Sequence, residues 1–203
     1  MLILDFIKES LRNEANALGR LVAEVGEEYV KAVEVIRKCE GKIVISGIGK
    51  SGHVGKKIAA SLSSTGTPSF FVHAAEAVHG DSGMIEKRDV VILISNSGET
   101  AEVLSMLEVV KRIGSQCIAI TKNSGSTLAA GSEVALTYNY EKEADHLDLA
   151  PTTSAMLQLA IGDALAVTIS RLKSFGKDDF YLYHPGGSLG KKLSDPAGES
   201  KSG

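Results

Sequence analysis

"DVVILISNSGETAEV", residues 89–103, joins an unbroken apolar run to a short hydroxyl-rich loop and then opens into a helical pattern. An apolar run without polar alternation is what a strand buried on both faces of a parallel sheet requires. The segment therefore predicts the centre of such a sheet. Ser95, Asn96, Ser97 and Thr100 surround Gly98 directly after it. A strand that delivers hydroxyls and free N–H groups into a helix start makes a compact cradle for one phosphate group. The same residues also read as plain helix capping, since Ser and Thr are good N-caps.

Outward from this segment the chain keeps alternating. "KIVIS" (42–46), "SFFVH" (69–73), "QCIAIT" (116–121) and "VALTY" (134–138) read as further strands. Helical patterns occupy 53–64, 100–112, a short piece near 126–131, and "PTTSAMLQLAIGDALAVTISRL" (151–172), with Pro151 in the first turn. Strand–helix alternation of this kind implies an α/β fold: a parallel sheet of about five strands with helices on both faces, binding its ligand at the carboxyl ends of the strands. Upstream, residues 5–38 form a long helical segment with Leu11, Ala15, Leu18, Val22 and Val25 on one apolar face and Gly19 and Gly26 as candidate breaks. That face covers either the chain's own sheet or a neighbouring subunit. The polar stretch 194–203 reads as a disordered tail.

Composition narrows the partners. With 203 residues, 43% hydrophobic and a net charge of −3, the chain reads as one globular domain without the basic field of a nucleic-acid or membrane binder. Cys39 and Cys117 suit neither a disulfide framework nor a zinc site. The N-terminus reaches Asp5 after four apolar residues, so it lacks a secretory signal, and no apolar run suggests a membrane span. The expectation is a cytoplasmic protein.

A second glycine loop, "VISGIGKSGHVG" (44–55), carries a G-x-G-x-x-G frame at Gly47, Gly49 and Gly52. A dinucleotide turn would need an acid about 20 residues on, at the end of the next strand. That strand ends in Phe71-Val72-His73, and the nearest acid is Glu76. A P-loop fails as well, because Val44 stands where its first glycine belongs. Two phosphate-type loops on neighbouring strands, without a nucleotide signature, point to a sugar phosphate.

Taken together, "GxGKSGH" (47–53), "STGTPSFFVHAAEAVHGDSGM" (64–84), "SNSGET" (95–100), "LAPTTS" (149–154) and "HPGGSLGKKL" (184–193) resemble the sugar-isomerase (SIS) domain, and within it the arabinose-5-phosphate isomerases. The resemblance runs from about residue 40 to 193. It implies a three-layer α/β/α sandwich over 39–193, with 1–38 packing on it or on a neighbour. It also implies conversion of D-ribulose 5-phosphate to D-arabinose 5-phosphate through an enediolate, on the way to Kdo. Another SIS sugar-phosphate isomerase and a non-catalytic sugar-phosphate sensor are the alternatives. Members of this group usually continue into paired CBS modules. This sequence ends ten residues past "GKKL", so regulation through such modules is not expected, and feedback by CMP-Kdo at the cleft is the hypothesis in its place.

The reaction needs a phosphate anchor, a carboxylate base, a group to neutralise the oxyanion, and an acid–base group for the hydroxyls. Ser51, Ser95, Asn96, Ser97 and Thr100 are the candidates for the phosphate. Thr152 and Thr153 either complete that site or cap the last long helix. By resemblance Lys50 orients substrate or neutralises charge, and Glu143 is the favoured base, a loop carboxylate that burial on substrate closure would raise in pKa. Glu102 positions substrate or reaches another subunit. His184 and His79 are acid–base candidates, with His184 entering an active site that is its own or a neighbour's. No metal or cofactor is implied. His79 and His184 are candidate ligands for an inhibitory zinc ion, and a homo-tetramer is the expected assembly.

Overall fold

A computed structural model describes residues 2–185. Two helices, α1 (Leu2–Glu24) and α2 (Glu27–Arg37), precede an alternating series. β1 (Ile43–Gly47) leads into α3 (Gly49–Ser64), and β2 (Ser69–His73) into α4 (Ala74–Ala77) and a 3₁₀ turn at Asp81–Met84. β3 (Val90–Ile94), α5 (Ala101–Ile113), β4 (Gln116–Thr121), α6 (Thr127–Ala130) and β5 (Val134–Thr137) follow, then α7 (Thr153–Leu172) and α8 (Lys177–Tyr183). The five strands form one parallel sheet in the order β2-β1-β3-β4-β5.

Side-chain alternation along the strands sorts the core into two layers. Ile43, Ile45, Ile92, Ile118 and Leu136 face α1, α2, α3 and α7, while Val44, Val91, Leu93 and Ala119 face α4, α5 and α6. β1 and β3 are buried at every position, which is why they read as continuous apolar runs. The chain leaves β1 toward β2 on one side and returns to β3 on the other. The switch point therefore lies between the carboxyl ends of β1 and β3, where the two glycine loops emerge.

Three boundaries depart from the sequence reading. α3 starts at Gly49 rather than 53, so Lys50 and Ser51 stand in its first turn. α7 starts at Thr153, with Thr152 as N-cap and Pro151 outside it. α1 runs through Gly19 and breaks only at Gly26, whose extended backbone caps α2.

The apolar face of α1 does not cover the chain's own sheet. Leu11, Leu18, Val22 and Val25 are 61%, 38%, 71% and 52% exposed, and the residues it buries are Ala17 and Leu21. The helix meets its own domain along a narrow line on α7, so small Ala17 and Leu21 face inward and the broader stripe faces out. α7 is the other surprise. By length and composition it is apolar enough to cross a membrane. Here it packs against α1, α2 and α3, with Leu157, Ile161, Leu165 and Ile169 in the core.

Candidate functional site

At the switch point a cleft of about 260 Å³ is lined by Ile48, Lys50, Ser51, Ile94, Ser95, Asn96, Ser97, Thr100, Pro151 and Ser154. Three chain segments build it: the β1–α3 turn, the β3–α5 loop and the start of α7. The lack of a side chain at Gly47 lets the β1–α3 turn approach the end of β3 closely. A Cβ on Gly47 would stand 3.1 Å from the Ile94 carbonyl oxygen, and one on Gly52 would stand 3.1 Å from the Gly47 carbonyl. The G-x-G-x-x-G frame thus serves close strand–helix packing.

The β3–α5 loop is organised by its own hydrogen bonds. Ser95 Oγ lies 2.7 Å from Thr100 Oγ1 and accepts the Gly98 N–H at 3.1 Å. Ser97 Oγ accepts the Glu99 N–H at 3.1 Å. Gly98 takes φ +71°, and a side chain there would run into Ser126. Its carbonyl accepts the Leu128 N–H at 3.1 Å, and Glu99 Oε1 accepts the Thr127 N–H at 2.7 Å, pinning the loop to α6. The capping reading is not met: Thr100 is the N-cap of α5, but its hydroxyl lies on Ser95 Oγ and makes no cap bond, while Ser95, Ser97 and Thr100 line the cleft.

Glu143 lies beside this cleft, 6% exposed. Its Oε2 accepts the backbone N–H groups of Thr152 at 2.9 Å and Ser154 at 3.1 Å, and Thr152 Oγ1 at 3.3 Å. The carboxylate therefore sits at the positive end of α7, where a negative charge is stabilised. Its Oε1 accepts the Tyr140 hydroxyl at 3.0 Å. Burial alone would raise this carboxyl, but donors on Ser154, Thr152 and Tyr140 outweigh burial and hold it below the ordinary carboxylate range. The rise expected on substrate closure would start from a lowered value, because this loop carboxylate is a helix cap and the cap donors decide the sign.

The Tyr140–Glu143 bond ends a chain of hydrogen bonds that all point one way. Gln158 Nε2 donates to the Tyr138 hydroxyl at 2.8 Å, which donates to Asn96 Oδ1 at 2.9 Å. Asn96 Nδ2 donates to the Tyr140 hydroxyl at 3.0 Å. Burial raises both tyrosine hydroxyls above their ordinary range, so both remain donors. Asn96 is thereby fixed in one orientation and couples the β3–α5 loop to Glu143. Lys122 Nζ stands 3.8 Å from the Tyr140 ring centroid, a cation–π contact.

The structure brings Lys50, Ser51, Ser95, Asn96, Ser97 and Thr100 into one cleft and sets Glu143 beside it. Thr152 and Thr153 do not line it. Thr152 Oγ1 accepts the Ala144 N–H at 2.8 Å, and buried Thr153 accepts Asn13 Nδ2 of α1 at 3.1 Å. Glu102 is exposed on the first turn of α5, and His79 is exposed in the turn after α4; neither lines the cleft. His184 caps α8, stacked on Phe180 at 3.9 Å between centroids. α7 carries the chain about 30 Å away from the cleft before α8 begins. Phe175, packed on Gly66 and stacked on Tyr183, holds α8 at the amino end of the sheet. Within one chain His184 does not meet the cleft. Among the described residues no three His, Cys, Asp or Glu side chains converge as a metal site. "GGSLGKKL" (186–193) and the tail 194–203 lie outside the described residues.

Sequence reading missed Tyr138, Tyr140, Ser154 and Gln158. The signals were there: two tyrosines spaced by two at the carboxyl end of β5, and two polar residues spaced by four on the most apolar helix.

Comparison with known proteins agrees with this architecture. Arabinose 5-phosphate isomerase KdsD of Pseudomonas aeruginosa is 50% identical over 193 residues, covering 94% of this chain and 59% of that protein. Arabinose 5-phosphate isomerase KpsF of Escherichia coli O6:H1 is 46% identical over 192 residues, with the same two shares. The chain thus spans about three fifths of the length of these curated relatives. The solved structure of E. coli CFT073 c3406 in complex with arabinose 5-phosphate matches with TM-score 0.88 and 46% identity, over 90% of this chain and 97% of that one. The SIS domain model matches residues 36–168, from the end of α2 into α7, and takes in every segment that lines the cleft. The chain belongs to the SIS domain family.

Proposed function

We propose that this chain interconverts D-ribulose 5-phosphate and D-arabinose 5-phosphate. The observation that carries the reading is the likeness, over nine tenths of the chain, to c3406 in complex with arabinose 5-phosphate. The names of the two curated relatives support it.

The phosphate of the sugar lies against the Ser95–Thr100 loop, with Ser51 and the N-terminus of α5 completing its anchor. Glu143, anionic at neutral pH, takes a proton from C1 of the ketose. Its Oε1 accepts only Tyr140 among the described residues and keeps a lone pair for this step. The resulting enediolate carries its charge on oxygen, where Lys50 neutralises it. The proton returns to C2, the hydroxyl proton passes from O1 to O2, and C1 is left as the aldehyde of the aldose. Glu102, His79 and His184 serve the hydroxyls and ring opening from the rim or from a neighbouring copy.

That last assignment needs an oligomer, since His184 stands far from its own cleft. The outward stripe of α1 (Phe6, Ile7, Leu11, Leu18 and Val22, all exposed) is the surface we assign to assembly with other copies, as a homo-tetramer. The setting is a cytoplasmic route to Kdo, with CMP-Kdo as a feedback ligand of the cleft. Titration of CMP-Kdo against activity checks the feedback, and no inhibition at millimolar levels removes it.

The test of the reaction is NMR of D-ribulose 5-phosphate incubated with the protein in D₂O. The expected product is arabinose 5-phosphate with deuterium at C2. Exchange into a different aldose would change the product, and binding without exchange would make the chain a sensor.

A further inference from the structure

Ser154 has a hydroxyl with nowhere to go. The residue is 1% exposed, lines the cleft, and its Oγ has no hydrogen-bond partner among the described residues. The hydroxyl lies near enough to Glu143 and Tyr140 to favour their anionic forms, yet neither contact has the geometry of a hydrogen bond. A buried hydroxyl without a partner costs stability, and native structures rarely keep one without a use. Its neighbours differ in this respect. Thr152 Oγ1 holds Ala144 and Glu143, and Thr153 Oγ1 holds Asn13. In the phosphate loop Ser95 is satisfied by Thr100 and Gly98, and Ser97 by Glu99.

Position says what the hydroxyl would bind. The Ser154 N–H donates to Glu143 Oε2 at 3.1 Å, so the residue stands between that carboxylate and the cleft. A ligand oxygen at Ser154 Oγ is therefore close to the group that moves the proton. It belongs to the sugar chain beside the exchanging carbons. A hydroxyl can donate to a carbonyl or enediolate oxygen and accept from a sugar hydroxyl, so it suits either face of the reaction. We propose that Ser154 Oγ is a substrate ligand that hydrogen-bonds an oxygen of the sugar chain rather than the phosphate. This rests on the isomerase reading above.

Ser154→Ala tests it, with Thr152→Ala as the structural comparison. S154A loses only the support its hydroxyl gives the Glu143 carboxylate, so its melting temperature falls less than that of T152A, which loses bonds to Ala144 and Glu143. The kcat/KM of S154A for ribulose 5-phosphate and its calorimetric affinity for arabinose 5-phosphate fall by about tenfold or more, the size of one hydrogen bond to a charged or polarised oxygen. Competition by inorganic phosphate stays as in the wild type. Unchanged turnover and affinity overturn the proposal. An equal loss of phosphate competition moves the contact to the phosphate and overturns it too, and a melting temperature lowered as far as that of T152A makes the role structural. If the wild type binds arabinose 5-phosphate but does not isomerise, the reaction is wrong and the affinity of S154A still decides Ser154. If the wild type binds no sugar phosphate, both readings fall.

Discussion

The Tyr140 hydroxyl donates to Glu143 Oε1 at 3.0 Å while accepting Asn96 Nδ2 at 3.0 Å, so one oxygen joins the phosphate loop to the buried carboxylate. Tyr140→Phe removes a donor that helps hold the Glu143 carboxyl down. With that donor gone the carboxyl rises toward its ordinary range, and the acidic limb of kcat/KM moves to higher pH. At neutral pH the variant also loses about 1 kcal/mol of stability, the net worth of a typical hydrogen bond. Paired pH–rate profiles check the direction, and coincident acidic limbs would separate Tyr140 from the proton transfer.

Glu143 also makes stability depend on pH. Its folded carboxyl lies below the unfolded value of about 4.3, so the unfolded chain binds the proton more readily. The stabilisation is complete above the unfolded value and is lost as pH falls through the folded one. Glu143→Gln removes the charge from the start of α7 and is less stable by about 2 kcal/mol at pH 7, the scale of charged hydrogen bonds at a helix end. The gap between variant and wild type closes in acid. Urea unfolding of both proteins at neutral pH and near pH 3 measures it, and a gap that does not shrink in acid would contradict the cap.

The sheet was legible because β1 and β3 are buried on both faces and carry no polar residue to blur them before Ser46 and Ser95. The β3–α5 part of the cleft was legible because its hydroxyls are nearly contiguous in sequence. What could not be read was which polar residues meet across the fold. Asn96, Tyr138, Tyr140 and Gln158 form one hydrogen-bonded chain across a sequence span of 62 positions only once β5 and α7 are docked. Thr152, Thr153 and Ser154 look alike as a string. Helix geometry sends one into the Glu143 cap, one under α1 and one into the cleft. The α1 stripe left its partner open for a different reason: periodicity reports that a face is apolar, not what it packs against.

Gly98 sets the shape of the phosphate loop. It holds φ +71°, and a Cβ there would collide with the Ser126 side chain and lie 2.9 Å from Thr121 Oγ1. Gly98→Ala combines a left-handed backbone penalty with overpacking, for a loss of about 2–4 kcal/mol. The loop must open to relieve it, so protection by inorganic phosphate against thermal unfolding is lost as well. Thermal melts with and without phosphate read both effects. A variant that melts like the wild type would mean that the loop does not need this turn.

The outward face of α1 is tested where it borders an apolar groove. Leu18, Val22 and Val25 line a hollow of about 420 Å³ together with Val30 of α2 and Ala164 and Leu172 of α7. Replacing exposed residues of an isolated chain by glutamate changes stability by no more than about 0.5 kcal/mol. Within an interface between copies the same change buries charges without partners and blocks assembly. Leu18→Glu with Val22→Glu is therefore expected to lower the mass in light scattering while leaving the circular dichroism of the folded chain in place. Under the proposed assembly activity falls with the mass, since His184 would then have no neighbouring cleft to enter. A wild type already monomeric, or a double variant that keeps its mass, would put the assembly surface elsewhere. Lost mass with full activity would keep the interface and remove His184 from the reaction.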